Sequence, residues 1–341
     1  MKRIACFLLV LALLLSGCSP LSQPQSQKYT ATFLTLFDTV TTIVGFADTK
    51  EDFEAIAQQI HDQLLEYHQL FDIYQEYEGI VNLKTVNDTA GMDPIAVDSR
   101  IIHLLQDCKD YYRLTEGMVN IAMGSVLQLW HEARNAGIND PVNAALPDAN
   151  ALDAASEHTD IDALIIDAAA STVYFADPAL RLDVGAIAKG WALQRVCENA
   201  PEGLLISVGG NVCATGPKDA AGTPWVVGIQ DPKGGENYLH TIYAATGSVV
   251  TSGDYQRAYM VDGKPYHHII DPQTRMPGTL WRSVTIVCQD SGLADALSTA
   301  LFLLPLEEGK DLLAFCGAEA LWVDASGNLY YSDNFQDLIR T

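Results

Sequence analysis

The sequence predicts one α+β domain in which mixed or antiparallel sheets pack against helices. The first half carries long segments with apolar residues at helical spacing. From Leu164 onward the chain consists mainly of short apolar runs separated by Gly, Pro and Asp turns, which is typical of strands. No internal repeat or linker divides residues 31–341, and 48% of the chain is hydrophobic. A single large unit with a sizeable core is therefore expected.

Residues 1–30 are typical of an exported, lipid-anchored protein. Lys2 and Arg3 precede an apolar run over residues 4–15, and the L-S-G-C sequence ending at Cys18 resembles a bacterial lipobox. That resemblance implies lipidation of Cys18, whereas a plain signal peptide with an incidental cysteine is the alternative. We predict a lipoprotein signal peptide over residues 1–17, a flexible tether over 18–30 and the folded domain over 31–341. The protein is then expected on the extracytoplasmic face of the cell membrane, anchored by lipid but not spanning.

The overall charge excludes some partners and constrains others. The formal net charge is −23, which argues against nucleic acid and against anionic membrane surfaces as partners. The same charge opposes an anionic ligand such as a nucleotide. If one binds, a local cation has to overcome the field, and a bound metal ion is the obvious candidate.

Helical spacing and capping residues predict the elements of the first half. A first strand is expected within residues 34–46, followed by a helix that is capped at Asp48 or Thr49 and extends to Phe71. A polar loop ends at Asn87, and a second helix begins at the N-cap Asp98 and stops at Gly117. Residues 119–130 combine a turn with a helix start, and residues 131–159 are predicted to be a loop with a short helix over 149–156.

Alternation and turn residues predict the elements of the second half. Two helices are expected, one starting at Ala186 and one over residues 292–304, where Pro305 stops it. The predicted strands cover residues 164–167, 172–176, 180–184, 204–208, 225–230, 241–245, 257–261, 267–270, 283–288 and a C-terminal hairpin of 320–323 with 328–331.

The stretch from Arg181 to Arg195 places a strand end, Gly185 and a helix N-terminus in succession. The first N–H groups of a helix lack internal partners, so this junction can bind an anion. It also contains Asp183 and Lys189, six residues apart. From these residues alone, an ordinary strand–turn–helix junction with a surface acid and base remains the alternative.

Three further motifs can carry chemistry. Asp295 and Thr299 are four residues apart on a predicted helix, so their oxygens share one face and form part of a Mg²⁺ site. His267 and His268 are adjacent, and one of them can serve as a base. The paired glycines of S-V-G-G-N, ending at Asn211, let the backbone approach a flat ligand or a phosphate. A buried threonine near a helix cap and a satisfied core histidine are the structural alternatives.

Five motifs occur together in one order: L-D-V-G-A-I-A-K-G-W-A, I-S-V-G-G-N, V-T-S-G-D-Y, Y-H-H-I-I-D-P-Q-T and A-D-A-L-S-T-A-L-F. In combination they resemble the ApbE family, the FAD:protein FMN transferases, also described as flavin-trafficking lipoproteins. The resemblance extends from about Phe37 to beyond Thr299 and implies a single ApbE-type, T-fold-like domain. It further implies that FAD is the substrate, that FMN is joined through its phosphate to a Thr or Ser hydroxyl of an exported target protein, and that AMP leaves. Such a target would be a flavoprotein subunit of a membrane redox system.

The resemblance also implies roles for the second-half motifs. The Mg²⁺ ligands would be the backbone carbonyl of Ala186 and the side chains of Asp295 and Thr299. The catalytic group would comprise His268, Asp183 and Lys189. Within it His268 would deprotonate the target hydroxyl, and Asp183, with Lys189 nearby, would bind the adenosine part of FAD. Ile269 would line the flavin pocket.

Flavin contacts earlier in the chain follow from weaker matches. F-D-T matches a family turn similar to M-G-T and places Phe37 against FAD, and Tyr74 matches a family aromatic residue. Ala122, Met123 and Gly124 match a T-V-G-like turn. The sequence departs from the family where Arg275 follows Thr274 in place of a usual glycine.

Two other functions remain open at this stage. A hydrolase would use water on the same bound FAD and release FMN and AMP. A flavin-binding lipoprotein would store or deliver FAD without chemistry.

Overall fold

The computed structural model describes residues 26–235 and 237–340. The predicted signal peptide, Cys18 and residues 18–25 of the predicted tether lie outside the described residues. The α+β fold class is confirmed, with helices packed on antiparallel sheets. Within the described ranges, no helix is both long enough and apolar enough to cross a bilayer.

An eight-stranded sheet, antiparallel throughout, forms the centre of the fold. Its strand order is β1-β2-β6-β7-β10-β13-β14-β15. The strands are β1 (Gln27–Phe33), β2 (Thr41–Ala47), β6 (Leu204–Val208), β7 (Asn211–Ala214), β10 (Gly247–Gly253), β13 (Trp281–Cys288), β14 (Glu319–Asp324) and β15 (Leu329–Tyr331).

The remaining strands form three smaller sheets. One has the order β3-β5-β4, and the other two are the pairs β8 with β9 and β11 with β12. Their bounds are β3 (Ile95–Ala96), β4 (Leu164–Asp167), β5 (Thr172–Phe175), β8 (Trp225–Gln230), β9 (Tyr238–Ala244), β11 (Tyr259–Val261) and β12 (Lys264–Tyr266).

Eight α-helices lie in the described part of the chain. They are α1 (Lys50–Phe71), α2 (Leu83–Asp88), α3 (Ser99–Leu114), α4 (Gly124–Asn139), α5 (Ala149–Ser156), α6 (Ala188–Cys197), α7 (Ser291–Leu303) and α8 (Leu306–Cys316). Short 3₁₀ segments cover Leu36–Asp38, Ile161–Ala163 and Phe335–Leu338. Thr49 and Asp98 cap α1 and α3, as their sequence predicts.

Helices and a hairpin cover the two faces of the central sheet. Helix α7 packs on β10 and β13, and α6 packs on α7 and α1. Alternation along β6 directs Leu204, Ile206 and Val208 into this helical core, whereas Leu205 packs on the other face beneath the β8–β9 hairpin. A third apolar cluster joins α4 and α5 to β11. Of the predicted site residues, Lys189 lies on α6, Asp295 and Thr299 lie on α7, and Met123 belongs to the third cluster.

Several predicted element bounds are wrong. The segment 34–46 is not one strand, because a 3₁₀ turn at Leu36–Asp38 separates β1 from β2. The predicted tether ended at Thr30, whereas β1 begins at Gln27 and pairs along its whole length with β2. Residues 180–184 and 267–270 form no strand; each makes one isolated bridge, Arg181 with Met123 and Ile270 with Pro277.

The remaining differences concern elements that the sequence underestimates. Helix α2 replaces the end of the predicted loop before Asn87, and α4 continues to Asn139 where a loop was expected. Helix α6 begins at Ala188, two residues later than predicted. Strands β7 and β10 and helix α8 have no counterpart in the prediction.

Candidate functional site

Asp295 connects helix α7 to the first turn of α6. Its Oδ2 accepts the N–H of Gly190 at 2.9 Å and lies 3.6 Å from Lys189 Nζ. The side chain is only 5% exposed, so these partners offset the cost of burying a carboxylate. A Cβ at position 190 would lie 2.3 Å from the carbonyl oxygen of Ser291. The close approach of the two helices therefore requires the glycine.

Three oxygens on these two segments accept no hydrogen bond from the described residues. In a continuous helix the N–H of Gly190 would bond to the carbonyl of Ala186, but here it is given to Asp295. Among the described residues, no hydrogen bond ends on the Ala186 carbonyl, on Asp295 Oδ1 or on the Thr299 hydroxyl. Lys189 Nζ also donates to the carbonyl of Gly185 at 3.2 Å, which keeps the corner before α6 next to Asp295.

The chemistry of these oxygens fits a hard cation. Mg²⁺ prefers oxygen ligands and completes its shell with water and phosphate. In residues 26–235 and 237–340, no group of three or more His, Cys, Asp or Glu side chains is placed to hold a metal. A metal at the α6–α7 corner would therefore depend on carbonyl and hydroxyl oxygens together with the single carboxylate of Asp295.

Asp183 begins a chain of polar contacts beside this corner. Its Oδ1 accepts the N–H of Gly185 at 2.8 Å, and its Oδ2 lies 3.9 Å from Nε2 of His131. The other ring nitrogen of His131, Nδ1, is 2.9 Å from the hydroxyl of Tyr74. The structure thus brings two predicted residues, Asp183 and Tyr74, together through a histidine. Burial lowers the pKa of His131, and the charges of Arg134 and Arg257 lower it further, against the opposing effect of Asp183.

The two adjacent histidines have different environments. His267 is buried and satisfied, because its Nε2 donates to the carbonyl of Gly278 at 2.8 Å and its Nδ1 accepts the N–H of Ile269 at 3.2 Å. His268 is bonded at one nitrogen, since its Nδ1 lies 3.1 Å from the carbonyl of Gln256 and must donate to it. The neutral tautomer that results carries a lone pair on Nε2. Burial, followed by the charges of Arg257, His267 and Lys189, lowers the pKa of His268 to about 3.

A small cavity connects His268 to helix α4. Leu127, Trp130, His131 and Arg134 line one wall of the cavity at the three- and four-residue spacing of one helix face. The opposite wall contains Arg257, Tyr259, Tyr266, His267 and His268. Because His131 belongs both to this cavity and to the Asp183–Tyr74 chain, the two groups form one continuous site.

The turn at Ala122–Gly124 is held by the protein itself. The N–H groups of Ala122, Met123 and Gly124 donate to Asn120 Oδ1, the Asn120 carbonyl and the Arg181 carbonyl, respectively. The first two side chains are buried. A Cβ at position 124 would lie 2.5 Å from the Arg181 carbonyl, so α4 can start there only at a glycine. Because these N–H groups are already bonded within the protein, a flavin contact by this turn would have to use a backbone carbonyl or van der Waals contact.

Phe37 and Ile269 lie apart from the cavity lining. Phe37 has a φ of 52°, its N–H donates to Nδ1 of His68 at 3.2 Å, and its ring contacts the ring of His68 edge-on. Ile269 is 5% exposed and packs in the helical core. Its predicted role in lining the flavin pocket stays a prediction.

Three basic cavity residues have no counterpart among the predicted site residues: His131, Arg134 and Arg257. The three-residue spacing of His131 and Arg134 on a helix is the signal that could have found the first two. Arg257 follows the S-G-D-Y motif closely, but only the folded chain shows that it faces α4.

Comparison with known proteins identifies the family of this chain. The model of the ApbE family matches residues 37–322. An FAD:protein FMN transferase of Treponema pallidum is 34% identical over 310 residues, which is 83% of each chain. Its counterpart in Escherichia coli K12 is 28% identical over 340 residues, or 95% of this chain and 93% of the relative.

Solved structures share the fold. The crystal structure of the ApbE protein of Thermotoga maritima superposes with a TM-score of 0.81 at 30% identity and covers 92% of this chain and 100% of that one. The flavin transferase ApbE of Vibrio cholerae, at 22% identity, gives a TM-score of 0.74 over 92% of this chain and 100% of that chain, which supports the fold alone. The family match covers most of the chain, and the first relative is more than 30% identical over more than two thirds of it. The chain therefore belongs to the ApbE family.

Proposed function

We propose that this protein transfers FMN from FAD to a Thr or Ser hydroxyl of a target protein and releases AMP. The relatives named FAD:protein FMN transferase support the reaction class. The observation that carries the proposal for this chain is the orientation of His268. Its Nδ1–H is held by the Gln256 carbonyl, so its Nε2 is available as a base within the cavity.

The proposed step conserves atoms and charge. The acceptor hydroxyl gives its proton to Nε2 of His268 while its oxygen forms a bond to the phosphorus of the FMN half. The P–O bond to the bridging oxygen breaks, and AMP leaves with that oxygen. The products are a phosphoester between FMN and the target, AMP, and a proton that the imidazole returns to solvent.

We propose Mg²⁺ as the metal at the α6–α7 corner. The ligands would be the Ala186 carbonyl, Asp295 Oδ1 and the Thr299 hydroxyl, the three oxygens that lack donors. Held by these residues, Mg²⁺ would supply charge neutralisation for the pyrophosphate and for the leaving phosphate. Lys189 would add a further positive charge beside the same corner, and its bond to the Gly185 carbonyl holds it in place.

Asp183 and Tyr74 are proposed to bind FAD. Asp183, whose Oδ1 is fixed by the Gly185 N–H, would accept hydrogen bonds from the adenosine part. Tyr74 is 55% exposed and would offer its ring to the ligand while its hydroxyl stays bonded to His131. We further propose that Cys18 carries a lipid anchor and that the target is an exported protein of a membrane redox system.

His268→Ala, with His103→Ala as the exposed control, tests the proposal. Each variant is incubated with FAD, Mg²⁺ and a purified target domain, and the target is weighed by mass spectrometry. We expect the control to add one FMN per acceptor and His268→Ala to bind FAD but leave the target unmodified. A wild-type protein that fails to modify a target accepted by a known transferase would overturn the proposal.

The same assay separates the two other functions. AMP release without any target protein would indicate a pyrophosphatase. Intact FAD recovered after long incubation with Mg²⁺ and target would indicate a binding protein without catalysis.

A further inference from the structure

Arg134 and Arg257 face each other across the His268 cavity without an acidic partner. Both line the cavity, one from α4 and one from the segment before β11. In the described part of the chain, neither side chain makes an ion pair within 4 Å or a hydrogen bond. By contrast, five other arginines have carboxylate partners: Arg100, Arg113, Arg195, Arg275 and Arg282.

This arrangement costs stability in the free protein. The chain contains 43 Asp and Glu residues, so acidic partners are abundant. Arg134 is nevertheless half-buried, and burial together with the charge of Arg257 lowers the pKa of its guanidinium. Two like charges kept together without a counter-charge indicate that an anion supplied from outside completes the site.

We infer that Arg134 and Arg257 bind the phosphate that is transferred, which is the phosphate of the FMN half of FAD. The inference rests on the proposed function and adds the residues that would hold the FMN phosphate of the substrate. The acceptor oxygen must reach both the base and the phosphorus that it attacks. Because His268 lines the same cavity as the two arginines, the phosphate held there is the one under attack, not the AMP phosphate that leaves.

The two guanidiniums suit this task chemically. Each offers a planar fork of N–H donors that matches two phosphate oxygens. Charge on the transferred phosphoryl oxygens is stabilised in the transition state by cations placed beforehand. The metal corner at Asp295 and the arginine pair would then hold different parts of the pyrophosphate.

Arg257→Gln and Arg134→Gln test the inference, with Arg113→Gln as the control, since Arg113 is exposed and pairs with Asp110. The first readout is binding of inorganic pyrophosphate to the metal-free protein, followed by the His268 imidazole signal in NMR. We expect binding to weaken at least about tenfold in each cavity variant and to remain unchanged in the control. Pyrophosphate should shift the His268 signal in the wild type and not in the cavity variants.

The second readout is kinetic. We expect kcat for FMN attachment to fall about a hundredfold or more in each cavity variant, with a smaller change in KM for FAD. Arg257→Lys should restore only part of kcat, because an ammonium lacks the planar fork. The melting temperature should rise or stay equal in Arg134→Gln, which removes an unpaired, half-buried charge, and stay equal in Arg257→Gln, because Arg257 is exposed.

The outcomes for the two proposals differ. If the wild type attaches FMN and the cavity variants keep its kcat and its pyrophosphate affinity, the arginine assignment is wrong while the proposed function stands. If the wild type attaches no FMN, the proposed function fails, and loss of pyrophosphate binding in the variants would then identify only an anion site.

Discussion

Asp295 Oδ2 accepts the N–H of Gly190 at 2.9 Å, across the contact between α7 and α6. This bond uses one oxygen of the carboxylate for structure and leaves the other oxygen for a ligand. It also takes from the Ala186 carbonyl the donor that a longer helix would supply. One hydrogen bond therefore holds two helices together and leaves two of the three proposed ligand oxygens, the Ala186 carbonyl and Asp295 Oδ1, without a donor.

Asp295→Asn should abolish metal binding while the fold persists. An asparagine can still accept the Gly190 N–H, but it loses the negative charge that a hard cation requires. We expect Mg²⁺ binding, measured by isothermal titration calorimetry, to weaken at least about a hundredfold, following the charge argument for oxygen sites. Asp311→Asn, on the exposed face of α8, is the control. Unchanged Mg²⁺ affinity in Asp295→Asn would place the metal elsewhere.

Gly190→Ala should separate α6 from α7. The added methyl would lie 2.5 Å from Asp295 Cβ and 2.3 Å from the Ser291 carbonyl, so one helix has to move. We expect a loss of about 1–3 kcal/mol in the free energy of unfolding, from overpacking, together with loss of Mg²⁺ binding. Gly309→Ala is the matched control, because its added methyl would lie 3.2 Å from its nearest neighbour, Trp322. Equal effects of the two substitutions in urea denaturation would contradict the role given to Gly190.

The lowered pKa of His268 predicts a loss of stability in acid. The folded protein keeps this imidazole neutral down to about pH 3, whereas the unfolded chain binds a proton below about pH 6.5. Unfolding then takes up a proton, so this contribution to stability is full above pH 6.5 and is lost as the pH drops through this window, by up to about 1.4 kcal/mol per pH unit. His268→Gln should flatten this part of the stability curve, and His103→Gln should not. An NMR titration of His268 with a midpoint near 6.5 would refute the prediction.

The protein should be more stable with Arg275→Gly than with Arg275→Ala. Its φ is 60°, in the left-handed region, at the position where the motif resemblance leads us to expect a glycine. Its ion pair with Asp153 is largely exposed, at 34% and 63% for the two side chains, and contributes little. We expect the free energy of unfolding, measured by chemical denaturation, to be about 1 kcal/mol higher for Arg275→Gly than for Arg275→Ala. At a position with negative φ the order would be reversed. A more stable alanine variant would show that the turn is not strained.

Local patterns predict most of the fold. The cap residues Thr49 and Asp98 define α1 and α3, and the apolar run at residues 204–208 predicts β6 with its observed bounds. The pattern fails at residues 180–184, which alternate like a strand but make only one bridge, between Arg181 and Met123. Alternation reports which side chains are buried and cannot show whether a partner strand is available.

The site is less visible in the sequence than the fold. Asp295 and Lys189 belong to separate motifs, and the structure brings them to 3.6 Å. The motif resemblance links such residues, but it does not indicate the unpaired state of Arg134 and Arg257. That state depends on which acidic groups lie nearby after folding. Likewise, the sequence does not distinguish His267 from His268, whereas the Gly278 and Gln256 carbonyls do.

The position at which β1 begins limits how far the folded domain could lie from a lipid anchor on Cys18. Pairing with β2 begins at Gln27, so eight residues, 19–26, separate Cys18 from the sheet edge. With a lipid on Cys18, as proposed, residues 19–26 would span at most about 30 Å even when fully extended. The β1 edge of the sheet would then stay within roughly one bilayer thickness of the membrane surface. An acceptor would have to lie within that length plus the dimensions of the folded domain, so distance from the membrane would limit the targets as well as their sequence.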